Sequence, residues 1–321
     1  MERKKPLDLL TLERLIARLD RNHPNLSYLE EELRRLQAGY KGECYLDSLT
    51  DPFMTSNFST IKNLTVPSYF ETIQYDQIHI TPSFILIIEC KNIIGKLTFQ
   101  PEASSLKREI NGVENYFRDP LWQLHRQVEG MKKILTELGL NIPVLGYIVF
   151  TSTNSSLHTT THQQMKLEKV IKSEQLTSQI RKLEKDYQTK YLNCEQIQAL
   201  TSSLKNLSVQ LSWKDPLIKY NILVDELSLG MQCPKCGKFK LKKERFKWKC
   251  ENCLGLLQKI EKEQFIDYFL LLNRKAKLKD LCAFYLVDNS RNLKYALLSS
   301  GIEIFGNTKS AEYVSWLHAS D

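Results

Sequence analysis

Leucines and isoleucines recur every three or four residues at the start of this chain, at Leu9, Leu12, Ile16 and Leu19 and again at Leu26, Leu29, Leu33 and Leu36. That spacing predicts two amphipathic helices, divided at Asn22-His23-Pro24-Asn25. We expect residues 1–38 to form a helical hairpin packed on the domain that follows, with a further helix ending near Asp51-Pro52. The pattern then shortens. Phe58 to Leu64, residues 73–80 and residues 84–91 read as three strands, with Gly95 to Phe99 extending the third. Asp119-Pro120 is a strong helix start, with Asp as the cap and Pro at the first helical position, and Val128, Met131, Leu135 and Leu138 give that helix an apolar stripe. Val144 to Phe150 is the next buried strand and residues 169–171 another, while 174–206 is polar and helical. His158 and His162 fall in a Thr/Ser-rich stretch that reads as loop.

Two charges interrupt the most apolar run, Phe84-Ile85-Leu86-Ile87-Ile88-Glu89-Cys90-Lys91. So short a β-branched run is a strand buried on both faces, and Glu89 and Lys91, two apart, leave it on the same face. An unpartnered charge there would cost several kcal/mol. If Pro82 and Ser83 are the central turn residues, Ile80 pairs with Ile85 and Asp76 falls opposite Glu89. Two carboxylates and an ammonium would then share one patch, which suits a hard divalent cation and a polarised water, the chemistry of a nuclease. An ordinary hairpin with a structural Glu89–Lys91 ion pair is the competing reading.

The surrounding motifs arrive in a telling order. They are Gly39-Tyr40-Lys41-Gly42-Glu43, Gln74-Tyr75-Asp76, Glu89-Cys90-Lys91-Asn92-Ile93-Ile94-Gly95 and Pro120-Leu121-Trp122-Gln123. Over residues 39–150 this set resembles the nuclease-related domain (NERD) family of the PD-(D/E)XK nuclease superfamily. The resemblance implies an α/β fold with a restriction-endonuclease-like αβββαβ core. It also implies a site made of Glu43, Asp76, Glu89, Lys91 and Gln123, in which Glu43, Asp76 and Glu89 hold Mg²⁺ or Mn²⁺. The family usually carries Asn before the proline, where this chain has Asp119; capping is kept and a negative charge is added.

Farther on, Cys233-Pro-Lys-Cys236-Gly and Cys250-Glu-Asn-Cys253-Leu-Gly form two knuckles separated by enough chain for a short hairpin. Four thiolates at this spacing fit a closed, structural, tetrahedral Zn²⁺, and the module resembles a zinc ribbon. Gly237 and Gly255 suit the turns that close the knuckles. Lys238, Lys240, Lys242, Lys243, Arg245 and Lys247 lie between them, interleaved with Phe239, Phe246 and Trp248. Basic side chains neutralise phosphates and aromatics stack on bases, though in so small a fold the aromatics equally serve as core. Beyond residue 258, three helices and a hairpin at Ile302 to Val314 resemble a small winged helix-turn-helix, with Arg291 and Lys294 on the candidate recognition helix; a protein-contact module has the same outline.

Charge supports that division. The net charge of +8 is uneven, because residues 1–230 hold 28 basic and 27 acidic side chains and residues 231–321 hold 17 and 10. A basic C-terminal third beside a candidate nuclease points to a polyanionic partner. No apolar run reaches the roughly 18 residues that span a bilayer, and the N-terminus lacks a signal core. Four of the eight cysteines have metal spacing and the other four have none, as in a reduced cytoplasmic protein. The expected organisation is therefore N-terminal helices at 1–38, a nuclease-like domain at 39–225, a zinc ribbon at 230–257 and a winged-helix-like module at 258–321. The expected function is a metal-dependent nuclease or nickase on DNA. A non-catalytic nucleic-acid binder and an RNA-processing nuclease are the alternatives.

Overall fold

The computed structural model describes residues 3–53, 58–68, 72–160, 167–209, 214–244, 247–258, 260, 262–300, 302–306 and 311–315. It opens with helices α1 (Leu7–Arg18) and α2 (Leu26–Thr50). Contacts divide the chain into two compact units, one of Met1–Arg3 with Gln37–Ser212, the other of Lys4–Leu36 with Trp213–Asp321.

The first unit takes the C-terminal part of α2, then β1 (Ser59–Pro67), β2 (Thr72–Ile80), β3 (Ile85–Lys91), β4 (Gly95–Gln100), β5 (Ser105–Ile110) and β6 (Val113–Arg118). Helix α3 (Pro120–Glu137), strands β7 (Val144–Phe150), β8 (Ser155–Thr159) and β9 (Val170–Lys172), and helices α4 (Ser173–Asp186) and α5 (Cys194–Asn206) complete it. One sheet has the order β1-β2-β3-β7-β9; its first three strands are antiparallel, and β3, β7 and β9 run parallel. Strand β3 lies at its centre and is covered on both faces. Ile85 and Ile87 join Leu124, Val128 and Met131 of α3, while Leu86 and Ile88 join Leu46 of α2 and Leu176 and Ile180 of α4. Burial on both faces is why β3 reads as a continuous apolar run rather than as alternation.

Residues 95–100 do not extend β3. They form β4 of a second sheet, ordered β6-β5-β4-β8. Its β5–β6 turn, Asn111-Gly112, has φ of 51° and 77°, the type I′ geometry that Asn-Gly favours. The stretch around His158, read as loop, is the short strand β8, held in parallel by β4; His162 lies outside the described residues.

The second unit has one core. It comprises α1, the first part of α2, α6 (Pro216–Tyr220), β10 (Leu241–Glu244), β11 (Lys247–Cys250), β12 (Leu256–Leu257), α7 (Ile266–Leu271), β13 (Lys275–Lys277), α8 (Leu278–Tyr285), α9 (Ser290–Ser299), β14 (Glu303–Phe305) and β15 (Glu312–Val314). Leu12, Leu15 and Leu29 are buried with Trp248, Phe265, Phe269, Leu281 and Leu293. The boundaries differ from the expected ones. Lys4–Leu36 group with Trp213–Asp321, while Met1–Arg3 and the chain from Gln37 belong to the first unit, and buried residues of 230–257 and of 258–321 share one core with α1. An apolar helical stripe says that a face is buried, never against what. Deep in this core Arg18 and Asp267 are fully buried and paired at 2.7 Å, Arg14 donates to the same carboxylate, and the Arg18 guanidinium lies 4.3 Å from the ring centres of Phe239 and Phe284. Among the described residues, no helix is long and apolar enough to cross a membrane.

Candidate active site and zinc centre

The β2–β3 hairpin sets the candidate site. Its ladder pairs Ile80 with Ile85 and ends at Gln77–Ile88, so the same register carries Asp76 opposite Glu89 one step farther on. There the Asp76 carboxylate accepts the Cys90 backbone N–H at 2.8 Å. Glu89 is 2% exposed, and each of its oxygens is engaged. Oε1 accepts from Lys91 Nζ at 2.6 Å and from Gln123 Nε2 at 2.8 Å, and Oε2 accepts from Gln127 Nε2 at 2.6 Å. Gln123 Oε1 accepts in turn from Lys91 Nζ at 3.0 Å. Gln123 and Gln127 come from the first two turns of α3, whose start is fixed by Asp119 accepting the Leu121 N–H at 2.9 Å.

Glu43 arrives on α2. A Cβ at its neighbour Gly42 would stand 2.5 Å from Asn92 Cβ and 2.8 Å from Thr151 Oγ1, so only glycine lets the helix come this close to the ends of β3 and β7. Glu43 Oε2 accepts from Arg3 Nη1 at 2.6 Å, and Arg3 also forks onto Asp47 at 3.0 and 2.9 Å.

Burial and like charge set the electrostatics. Burial first, then the charges of Glu89 and Glu43, push the Asp76 carboxyl well above the usual carboxylate range, against the Cys90 N–H. Glu43 is raised by burial, with Arg3 opposing and Asp47 and Glu89 adding to the rise. Burial works against the Lys91 ammonium, yet the Glu89 carboxylate and Asp76 hold it above the ordinary lysine range. Lys91 therefore keeps its proton. Three carboxylates thus crowd a site with too little positive charge, and all their donor atoms are hard oxygens, the set that suits a divalent cation. Gln127 Oε1 is buried without a hydrogen-bond partner, although its amide is oriented by donating to Glu89 and to the Gln74 carbonyl; an unsatisfied acceptor there fits a water or a hydrated ion. The carboxylates are not drawn tight, however. Among the described residues, the one group of three or more ligating side chains with all ligand atoms within 4.8 Å is the cysteine set.

That set is Cys233, Cys236, Cys250 and Cys253. The Cys233–Cys253 and Cys236–Cys250 sulfurs lie 3.7 and 3.6 Å apart. Tetrahedral Zn–S bonds of about 2.3 Å call for roughly 3.8 Å between sulfurs, so the cluster could hold zinc. The Lys238 backbone N–H, the largest influence on Cys236, helps to lower its thiol to about 7. The knuckles are equivalent, Gly237 N–H donating to the Cys233 carbonyl and Leu254 N–H to that of Cys250. The left-handed residue of the second knuckle is accordingly Leu254 (φ 56°) and not Gly255. At Gly255 the matter is space instead, since a Cβ there would lie 3.2 Å from Cys253 Sγ and 2.8 Å from Cδ of the flexible Lys235 side chain.

Lys238, Lys240, Lys242, Lys247, Arg291 and Lys294 are exposed, Lys243 is half-buried, and Arg245 lies outside the described residues. Lys242 is paired with Glu251 at 2.7 Å. Trp248 is core and Phe239 covers Arg18, so neither is presented for stacking on bases. Sequence reasoning missed Arg3, Asp47 and the bond from Gln127 to Glu89. Arg3 and Asp47 belong to no motif, and only the fourfold spacing of Gln123 and Gln127 hinted at a shared face.

A mixed α/β unit with a carboxylate–lysine–glutamine cluster at the end of its central strand is the kind of protein in question. Residues 38–151 match the family model of the nuclease-related domain, a stretch that spans Glu43, Asp76, Glu89, Lys91 and Gln123. No curated protein and no solved structure matches the chain.

Proposed function

We propose that the first unit is a metal-dependent nuclease or nickase with a restriction-endonuclease-like core. We further propose that it acts on DNA and is targeted by the zinc ribbon and the basic C-terminal helices. One observation carries the reading. Lys91 is clamped between Glu89 and Gln123 beside Asp76, a carboxyl whose pKa burial and two neighbouring carboxylates raise. Glu43, Asp76 and Glu89 would hold one or two Mg²⁺ or Mn²⁺ ions. A bound ion would polarise the scissile phosphate and acidify a water.

The chain's own groups do the rest. Lys91, kept protonated by Glu89, cannot serve as the base; it orients the attacking water and offsets the charge that develops on the phosphoryl oxygens. Gln123 fixes the Lys91 ammonium through its Oε1 and Glu89 through its Nε2. Gln127 steadies the second Glu89 oxygen. The exposed lysines of the ribbon and Arg291 and Lys294 of α9 would neutralise phosphates along the substrate. Cysteine usage, with four of the eight at metal spacing and the other four at none, supports a cytoplasmic location.

The test is cleavage of single-stranded, double-stranded and structured DNA and RNA with Mg²⁺, with Mn²⁺ and with chelator, for the wild type, Glu89→Ala and Lys91→Ala. Metal-dependent cleavage lost in both variants, with nucleic-acid affinity retained, is the expected result. Steeply salt-dependent binding without any cleavage would make the protein a binding module instead, and cleavage of RNA alone would make it an RNA-processing enzyme.

A further inference from the structure

We propose that Arg3 is a positioning residue of the acidic site, one that grips Glu43 by one carboxylate oxygen and so aims the other at the divalent cation; this rests on the metal-dependent reading above. No motif includes Arg3, yet it is built in from every side, with a side chain only 2% exposed. One edge of its guanidinium, Nε and Nη2, forks onto Asp47 at 3.0 and 2.9 Å. The remaining nitrogen, Nη1, is shared between Glu43 Oε2 and Asn63 Oδ1, each at 2.6 Å. Nη2 also lies 3.5 Å from the Asp76 carbonyl oxygen.

The anchor is itself anchored. Asp47 accepts from Gln77 Nε2 at 2.5 Å and pairs with Lys62 at 3.1 Å. Gln77 Oε1 is held by Thr50 and His79, and His79 by Thr60. The strand β1 makes its own accommodation, since Asn63 is a left-handed residue (φ 54°) within it and its side chain meets the arginine. This chain of contacts runs through α2, β1 and β2 and ends at one oxygen of Glu43. Among the described residues, only Oε2 of the Glu43 carboxylate is taken. Without Arg3, repulsion by Asp47 and Glu89 would turn Glu43 outward, and the cation would lose a ligand held in place.

Only an arginine can do this, because the task needs a planar fork with a third nitrogen to spare; a lysine supplies the charge without the geometry. Outer contacts that orient a metal ligand are worth 10- to 100-fold in metal affinity. A residue that merely ties down the chain's start would leave metal affinity alone once the protein is folded.

The experiment titrates Mn²⁺ into the full-length, zinc-loaded chain without nucleic acid, following free Mn²⁺ by electron paramagnetic resonance. It compares wild type, Arg3→Lys, Arg3→Ala and Glu89→Gln, with folding checked by circular dichroism. We expect Mn²⁺ affinity about 10-fold weaker in both Arg3 variants, with millimolar methylguanidinium restoring part of the loss in Arg3→Ala. Should Arg3→Ala not fold, Arg3→Lys carries the comparison. Wild-type affinity in the Arg3 variants, with binding lost in Glu89→Gln, would overturn this role and leave the metal site standing. Tighter binding in Arg3→Ala would overturn it too, making the arginine a plug. Absence of Mn²⁺ binding in the wild type, or binding that Glu89→Gln does not change, would remove the metal-site reading and this role with it.

Discussion

Asp76 is where burial and the proposed metal-binding role oppose each other most directly. Its folded-state pKa is raised by burial and then by Glu89 and Glu43, so the folded chain holds that proton more tightly than the unfolded one. The resulting stabilisation is present at low pH and is lost as pH rises through the folded value, leaving Asp76 a burden on the metal-free fold at neutral pH. Asp76→Asn removes the charge and keeps an acceptor for the Cys90 N–H. It should raise the calorimetric Tm of the first unit in chelator by several degrees while abolishing cleavage, and Mg²⁺ should raise the Tm of the wild type but not of the variant. A lower Tm in chelator would contradict this account.

His79 carries the opposite sign. Burial, and then the nearby charge of Lys62, lower it to about 3, against the weaker pull of Asp47 and Asp51. Its neutral ring is fixed in one tautomer. Gln77 Nε2 donates to Asp47, so Gln77 Oε1 must accept from His79 Nε2, and Nδ1 accepts from Thr60. Stability should therefore be complete above the ordinary histidine value of about 6.5 and decline as pH falls from there towards 3. Urea midpoints across that range should show this slope in the wild type and lose it in His79→Asn.

Among the elements, the zinc knuckles and the central strand differ in how locally they are determined. Leu254 takes a left-handed conformation while 67% exposed, a conformation that costs an L-residue about 1 kcal/mol. Leu254→Gly should relieve most of that strain with little loss of burial, so zinc should be harder to remove; a competition titration with a chromophoric chelator reads the difference. Unchanged or weaker retention would mean that the Leu254 side chain contributes something its exposure conceals. Strand β3, by contrast, depends on its surroundings, since its two charges pair with each other and are further satisfied by Gln123 and Gln127 of α3.

On the scale of the whole molecule, the two units have separate hydrophobic cores, and the chain's first helix belongs to the core of its last hundred residues. Leu12 is fully buried there. Leu12→Ala should cost about 2–5 kcal/mol, and the loss should appear in hydrogen exchange of α7 and β11 and not in β1 to β3. Zinc removal should act in the same place. Cys233, Cys250 and Trp248 share the cluster with α1 and α7, so chelation should loosen those helices together with the ribbon. Loss of protection confined to residues 233–253 would show that the ribbon is an independent module after all.

Local chemistry was legible in the sequence because it depends on spacing along one strand, one turn or one helix. The alternation that puts Glu89 and Lys91 on one face needs only the strand's period of two. The Ile80–Ile85 register needs only the turn at Pro82-Ser83, the α3 start only Asp119-Pro120, and the cysteine knuckles only their two-residue gaps. The tertiary structure decided what meets across long separations, where no periodicity carries information. It sent residues 95–100 into a second sheet because β5 and β8, not β3, offer them partners. It joined α1 to the C-terminal core because an apolar stripe does not name its partner. And it brought Arg3, from outside every motif, onto Glu43 and Asp47, because a buried guanidinium is tolerated wherever the fold surrounds it with acceptors, and only the folded chain fixes where that is.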